Sequence, residues 1–167
     1  MLAKFYKFSL KAPSLIFANS TWTKKRLASD RPIINLYPPC QLAAKYKAKD
    51  IEGKVTIVSI GQFRPEKNQI RQLQIIRLLL SRYPSIAGKF HCYIIGGVRN
   101  DEDRNLFESL RMYSQKNNLE QHVSILANVS GDKKEKLLNE AAIGLHTMND
   151  EHFGISIVEM MVRFAYE

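Results

Sequence analysis

The 167-residue sequence predicts an α/β fold with a Rossmann-like parallel sheet. Two observations predict it. From residue 55 onward, short apolar runs alternate with longer amphipathic segments, strand then helix four times over, which is the pattern of a sheet with helices on its faces. The first two of these runs close directly on glycine, at Gly61 and at Gly96-Gly97. Composition agrees: 45% hydrophobic and 25% charged residues are ordinary globular values, and they exclude a disordered, collagen-like or disulfide-stapled chain.

In chain order, Ser14 to Ala18 reads as a buried strand, and Asn19-Ser20 offers an N-cap for a short helix through Leu27. Ile33 to Tyr37 is a second strand, stopped by Pro38-Pro39. Residues 38–53, with two prolines, scattered lysines and a closing Gly53, read as a connector and set a domain boundary. Val55 to Ile60 is the clearest strand. A helix follows from about Asn68 to Arg82, with Ile70, Leu73, Ile76 and Leu80 at helical spacing and Arg71, Gln74, Arg77 and Ser81 as the polar stripe. Phe90 to Ile95 is the next strand. Asn100 caps a helix whose first turn, Asp101-Glu102-Asp103, suits the positive end of the macrodipole, and Asn118 is its expected C′ residue. Val123 to Leu126 is a strand. Asp132 and Glu135 resemble a capping box for a helix to about Ala141. Ile143 to His146 is the last strand, and Gly154 to Met161 opens a final helix with Ile155, Ile157, Met160 and Met161 expected to find little cover.

The charge is unevenly placed. The chain carries a net +9, of which residues 1–50 contribute +8 and residues 51–167 only +1. A basic surface of that kind meets anionic lipid or nucleic acid, or is simply solvated. The cations are dispersed and no nucleic-acid motif accompanies them, so lipid ranks above nucleic acid. Cys40 and Cys92 are too few for a disulfide framework and fit a reducing compartment. No run of 18 apolar residues occurs, and Lys4, Lys7 and Lys11 interrupt any signal-peptide core.

Parallel sheets bind ligands outside the carboxyl ends of their strands, which directs attention to the loops at 61–67, 96–100, 127–131 and 147–154. In the first, Gly61 lets the backbone leave the strand tightly, and Arg64 and Lys67 bring two cations to the start of a helix. A bidentate fork and a mobile point charge suit a diphosphate; two surface cations, one paired with Glu66, is the alternative. In the last loop, Glu151 can accept hydrogen bonds from sugar hydroxyls, and the amides of Phe153, Gly154 and Ile155 begin a helix. Glu159 sits on an otherwise apolar helix and needs a partner, either a ribose diol or a structural Lys or Arg. His146 and His152 make a poor metal signature, so no metal is expected.

The segment from Glu151 to Glu159 resembles the E-x7-E motif of retaining glycosyltransferases of the GT-B fold, and Gly61-Gln62-Phe63-Arg64-Pro65-Glu66-Lys67-Asn68 resembles their phosphate loop. Asn19 to Thr23, Tyr37 to Cys40, Ile95 to Asn100 and Gly144 to Met148 narrow this. They resemble the endoplasmic-reticulum family of α-1,2-mannosyltransferases that extend a dolichol-linked oligosaccharide from GDP-mannose, in N-glycan precursor assembly, on the cytosolic face of the membrane. The resemblance spans roughly residues 1–160. It implies that Gly61, Arg64 and Lys67 hold the diphosphate, Glu151 binds mannose hydroxyls as the catalytic carboxylate, Phe153, Gly154 and Ile155 face the sugar and phosphate, and Glu159 holds the ribose. His146 sits nearby without an assigned role. The partners implied are GDP-mannose, the dolichol-linked acceptor and the endoplasmic reticulum membrane, with no nucleic acid and no cofactor or metal.

Asn149 stands where the family usually has Trp, Ser156 where it often has Gly, and the stretch after Met160 departs from the family's small-residue run. On this pattern residues 1–37 are expected to be the tail of an amino-terminal domain, 38–53 a linker, and 51–167 an incomplete nucleotide-sugar-binding domain. The isolated chain is then expected to transfer no mannose by itself. Two sequons, at Asn19 and Asn128, are expected to stay unmodified. A GT-B transferase using a UDP-sugar, or a non-catalytic nucleotide-sugar-binding module, is the alternative.

Overall fold

The computed structural model describes residues 8–27, 29–40 and 53–164. Most of the connector expected at 38–53 lies outside these residues. The chain divides into two compact units: the described part of Met1–Gln41 with Glu151–Ile155, and the described part of Leu42–Asp150 with Ser156–Glu167.

The first unit contains strands β1 (Ile16–Ala18) and β2 (Ile33–Asn35), paired in parallel, and helix α1 (Thr21–Arg26). Ser20 caps α1 as its sequence suggests: the Oγ accepts from the Thr23 amide at 3.0 Å, and Lys24, Lys25 and Arg26 fall in the last turn, where the macrodipole favours cations. Both strands are shorter than the apolar runs that signal them. Leu36 and Tyr37, expected to continue β2, are exposed.

The second unit is a four-stranded parallel sheet in the order β5-β4-β3-β6. Its strands are β3 (Val55–Ile60), β4 (Phe90–Gly96), β5 (Val123–Ala127) and β6 (Ile143–Gly144). Helices α2 (Gln69–Arg82), α3 (Asp101–Lys116), α4 (Gly131–Glu140) and α5 (Ile155–Phe164) accompany them. Alternate strand residues point to opposite faces, and each face has its own core. Ile57, Cys92, Ile94 and Val123 pack with Leu73, Ile76 and Leu110 of α2 and α3. Val58 and Ile95 pack with Leu137, Leu138, Ala141 and Met160 of the α4–α5 region. Burial in the first core pushes the Cys92 thiol up to about 12, so it behaves there as a small hydrophobe.

Three expectations need correction. Helix α4 is capped by Ser130, whose Oγ accepts from the Lys133 amide at 3.3 Å, rather than by Asp132. Asp132 instead lies in the first turn, and Glu135 reaches Arg163 at 2.6 Å. Strand β6 is two residues long, although hydrogen bonds from the Ala142 and Leu145 amides to Thr56 and Val58 continue the ladder on both sides. Met160 on α5 is buried against Val58, Ile95 and the α4 residues, at 4% exposure, whereas Met161 and Ile155 are exposed as expected.

Two ion pairs join α4 to α5: Lys134 to Glu159 and Glu135 to Arg163. The Arg163 side chain is only 8% exposed. Glu135→Ala would strand that guanidinium, and a hydrogen bond to a charged group contributes about 1.5–3 kcal/mol. A loss of about 2 kcal/mol in urea unfolding is expected, with the slope of the transition unchanged.

Candidate functional site

The strand order places the site. β3, β4 and β5 succeed one another in one direction, and β6 then returns to the other side of β3. The order therefore reverses between β3 and β6, and ligands of open α/β sheets bind at the carboxyl ends of the strands flanking such a reversal. The two loops there are the one after β3, with Gly61, Arg64 and Lys67, and the one after β6, with His146, Thr147 and Met148.

Thr147 ties these loops together. Its Oγ1 lies 3.0 Å from the carbonyl oxygens of both Lys67 and Asn68, and it accepts from Gln72 Nε2 at 3.0 Å. Gln69 Nε2 donates to the Gln62 carbonyl at 2.7 Å. Gln69 and Gln72 are buried, at 3% and 2% exposure. They share the inner stripe of α2 with Leu73 and Ile76, at i, i+3, i+4 and i+7. The apolar periodicity that signals α2 passes over them, because it counts only hydrophobic positions. A glutamine pair in register with the buried stripe is the signal that finds this brace.

The loop after β3 is held against β4. The Gly61 amide donates to the Ile95 carbonyl and the Phe63 amide to the Gly97 carbonyl, each at 3.1 Å. Phe63 is fully buried and meets Phe107 edge-on. Asn68 then takes the left-handed conformation, at φ 51°, where α2 begins. Between these anchors Arg64 lies 3.7 Å from Glu66, the surface pairing that the sequence left open. The Lys67 ammonium approaches the Met148 thioether at 3.1 Å, a weak acceptor. The lysine stem runs 3.6 Å from where a Cβ on Gly61 would sit. The loops at 96–100 and 127–131 are also joined, since the Asn128 amide group both accepts from and donates to the Val98 backbone.

Glu159 has the structural partner the sequence allowed: both carboxylate oxygens accept from Lys134 Nζ, at 3.0 and 2.9 Å. A carboxylate keeps further lone pairs beyond these two bonds.

Glu151, Phe153, Gly154 and Ile155 belong to the first compact unit. Glu151 Oε1 accepts from the His152 amide at 3.1 Å. Gly154 is buried with φ 74°, a conformation that side chains other than glycine rarely adopt, and it lets the chain turn into α5. His152 stacks on Trp22, with centroids 4.0 Å apart at 23°, and Phe153 stacks on Tyr37 at 5.9 Å and 28°.

Two solved structures share this fold. TarM aligns over 96% of this chain and 30% of its own, with a TM-score of 0.69 and 14% identity. The pneumococcal O-GlcNAc transferase GtfA, solved with UDP and GlcNAc, aligns over 95% and 30% with a TM-score of 0.68 and 11% identity. At these identities the likeness shows the fold, that of GT-B glycosyltransferases. The sequence model of the family "Glycosyl transferases group 1" matches residues 43–163. The chain therefore belongs to the group 1 glycosyltransferases.

More similar in sequence are proteins named GDP-Man:Man(3)GlcNAc(2)-PP-Dol alpha-1,2-mannosyltransferase. The one from Dictyostelium discoideum is 38% identical over 96% of this chain, that from Mus musculus 37% over 88%, and that from Homo sapiens 34% over 96%. The chain spans about a third of these relatives, 34%, 32% and 35% of their respective lengths.

Proposed function

We propose that the chain is the donor-binding part of a GDP-mannose-dependent α-1,2-mannosyltransferase that extends a dolichol-linked oligosaccharide. The observation that carries this reading is sequence identity of 34–38% across 88–96% of the chain to relatives that share one name. Gly61, Arg64 and Lys67 take the diphosphate, Glu159 the ribose, and Glu151 with the amides of Phe153, Gly154 and Ile155 the mannose. The braced loop after β3 supports the first assignment, because cations on a fixed backbone lose less freedom when they meet phosphate. The Lys134 contact is compatible with the second, because it orients the Glu159 carboxylate and leaves acceptor capacity for a diol.

On this reading residues 1–37 are the tail of an acceptor-side domain, 38–53 the linker and 51–167 the donor side. The enzyme works at the endoplasmic reticulum membrane, on its cytosolic face, where dolichol holds the acceptor. No helix among the described residues is long and apolar enough to cross a membrane. The basic residues of 1–50 then add salt-sensitive attraction to anionic lipid.

Titration calorimetry with GDP-mannose, UDP-glucose and a short DNA duplex at two salt concentrations tests the reading. Saturable binding of GDP-mannose in preference to UDP-glucose is expected. Preference for the UDP-sugar would contradict the donor assignment. Duplex binding that weakens steeply with salt, without sugar-nucleotide binding, would point to counterion release and overturn the reading.

A further inference from the structure

The five-residue segment Glu151–Ile155 is held by the first unit's own aromatic groups. Two consecutive side chains of the loop lie on two rings of the amino-terminal segment: His152 on Trp22, centroids 4.0 Å apart, and Phe153 on Tyr37, 5.9 Å apart. The Arg26 guanidinium sits 4.0 Å from the Trp22 ring. Trp22 thus carries two planar cationic or polar groups, one from its own helix and one from the loop. The second ring is tethered as well. Tyr37 Oη lies 3.3 Å from both Thr21 Oγ1 and Asn35 Nδ2, and Asn35 Nδ2 donates to Thr21 Oγ1 at 3.0 Å. This triangle joins the residue after Ser20, the end of β2 and the ring beneath Phe153. The Glu151 carboxylate is in turn bonded to the amide of His152, so the residue that stacks on Trp22 also orients the carboxylate beside it.

We propose that Trp22 is a positioning residue for the donor's sugar: by fixing His152 it sets the Glu151 carboxylate, and so selects for the hexose rather than for the nucleoside diphosphate. The proposal rests on the assignment of Glu151 to the sugar made above. Trp22 touches neither donor nor acceptor in this scheme; it acts through His152. The aromatic stack needs only the flat face of an aromatic ring, whereas the cation over the ring is held best by indole. Phenylalanine at this position therefore keeps the stack and alanine loses it.

Trp22 is also the single tryptophan of the chain, so all tryptophan emission comes from the ring on which His152 stacks. Three measurements on the full 167-residue chain test the proposal. Calorimetry compares GDP-mannose with GDP for the wild type, Trp22→Ala and Trp22→Phe. Trp22→Ala is expected to weaken GDP-mannose about three- to tenfold while GDP affinity holds, with Trp22→Phe restoring most of the loss. Wild-type fluorescence is expected to change on adding GDP-mannose and not on adding GDP, since guanine is common to both and only the hexose engages Glu151. Equal weakening of both ligands, or an alanine variant that binds GDP-mannose as the wild type does, would overturn the positioning role while leaving the donor assignment intact. Should Trp22→Ala fail to fold, the wild-type emission decides, and an unchanged signal with GDP-mannose bound would overturn the proposal. A wild type that binds neither ligand would remove the donor assignment and the proposal with it.

Discussion

Replacing Arg64 and Lys67 together by alanine is expected to lower GDP-mannose affinity by about a hundredfold to ten-thousandfold, since each charge-assisted bond to phosphate contributes about 1.5–3 kcal/mol. The Glu66 and Met148 contacts of these two cations are weak competitors. Arg64 meets Glu66 at 3.7 Å on the surface, where an ion pair contributes little. Lys67 meets a thioether. Their replacement also leaves the fold's supports in place. The loop is anchored by the Gly61 and Phe63 amides, the buried Phe63 ring, Gln69 and Thr147, none of which uses either cationic head. Calorimetry alongside circular dichroism is the check. A variant that retains wild-type dichroism and binds within threefold of the wild type would remove the phosphate-loop assignment.

Gly96→Ala is expected to be the most destabilising single substitution at the carboxyl edge of the sheet. A Cβ there would lie 2.0 Å from the Gly61 carbonyl oxygen and 3.2 Å from Phe63 Cε2. The first neighbour is backbone, fixed by the ladder bonds of Gly61 and Phe63 to β4, so it has no rotamer by which to move aside. Overpacking of this kind costs about 1–3 kcal/mol and sometimes more, which for a chain of this size lowers the melting temperature by roughly 2–12 °C. The adjacent Gly97→Ala is the internal control. Its Cβ would meet Gln62 Cγ at 3.8 Å, an ordinary contact with a flexible side chain, and the expected cost is under about 1 kcal/mol. Equal melting temperatures for the two variants would contradict the close approach of β3 and β4 at this edge. Gly96→Ala should also disturb donor binding, because the atom it displaces belongs to the loop that carries Arg64.

The sheet was legible because its signals are local. Val55 to Ile60 and Phe90 to Gly96 are continuous apolar runs that end on glycine, and such runs become buried parallel strands once helices cover both faces. The caps at Ser20 and Asn100 were legible for the same reason, since an N-cap needs only its own next turn. At α4, by contrast, Asp132 and Glu135 satisfy the spacing of a capping box and still do not cap. Ser130, two residues earlier, bonds the Lys133 amide, and Glu135 is drawn to Arg163 on α5, a partner 28 residues away that no local pattern reveals.

The candidate site divides in the same way. Gly61, Arg64 and Lys67 could be named from one strand–glycine–helix junction. The partner of Glu159 could be named only as a class, Lys or Arg, because choosing Lys134 requires knowing that α4 and α5 lie side by side. Thr147 and Gln72 carry no chemistry that local spacing reveals, since their role is to fasten segments 75 to 80 residues apart, and Gln69 braces the first of those loops through the Gln62 carbonyl. The stacking of His152 on Trp22 likewise joins residues 130 positions apart, beyond the reach of spacing arguments.

Hydrogen exchange of the chain with and without saturating GDP-mannose tests the central claim most directly, because it reads where the donor binds without altering a residue. Slowed exchange is predicted in peptides covering 61–69 and 146–159, with the latter stretch protected less by GDP than by GDP-mannose, since only the hexose is assigned to Glu151 and the amides after it. Protection confined to other loops, such as 96–100 or 127–131, or identical protection of 146–159 by GDP and GDP-mannose, would contradict the account.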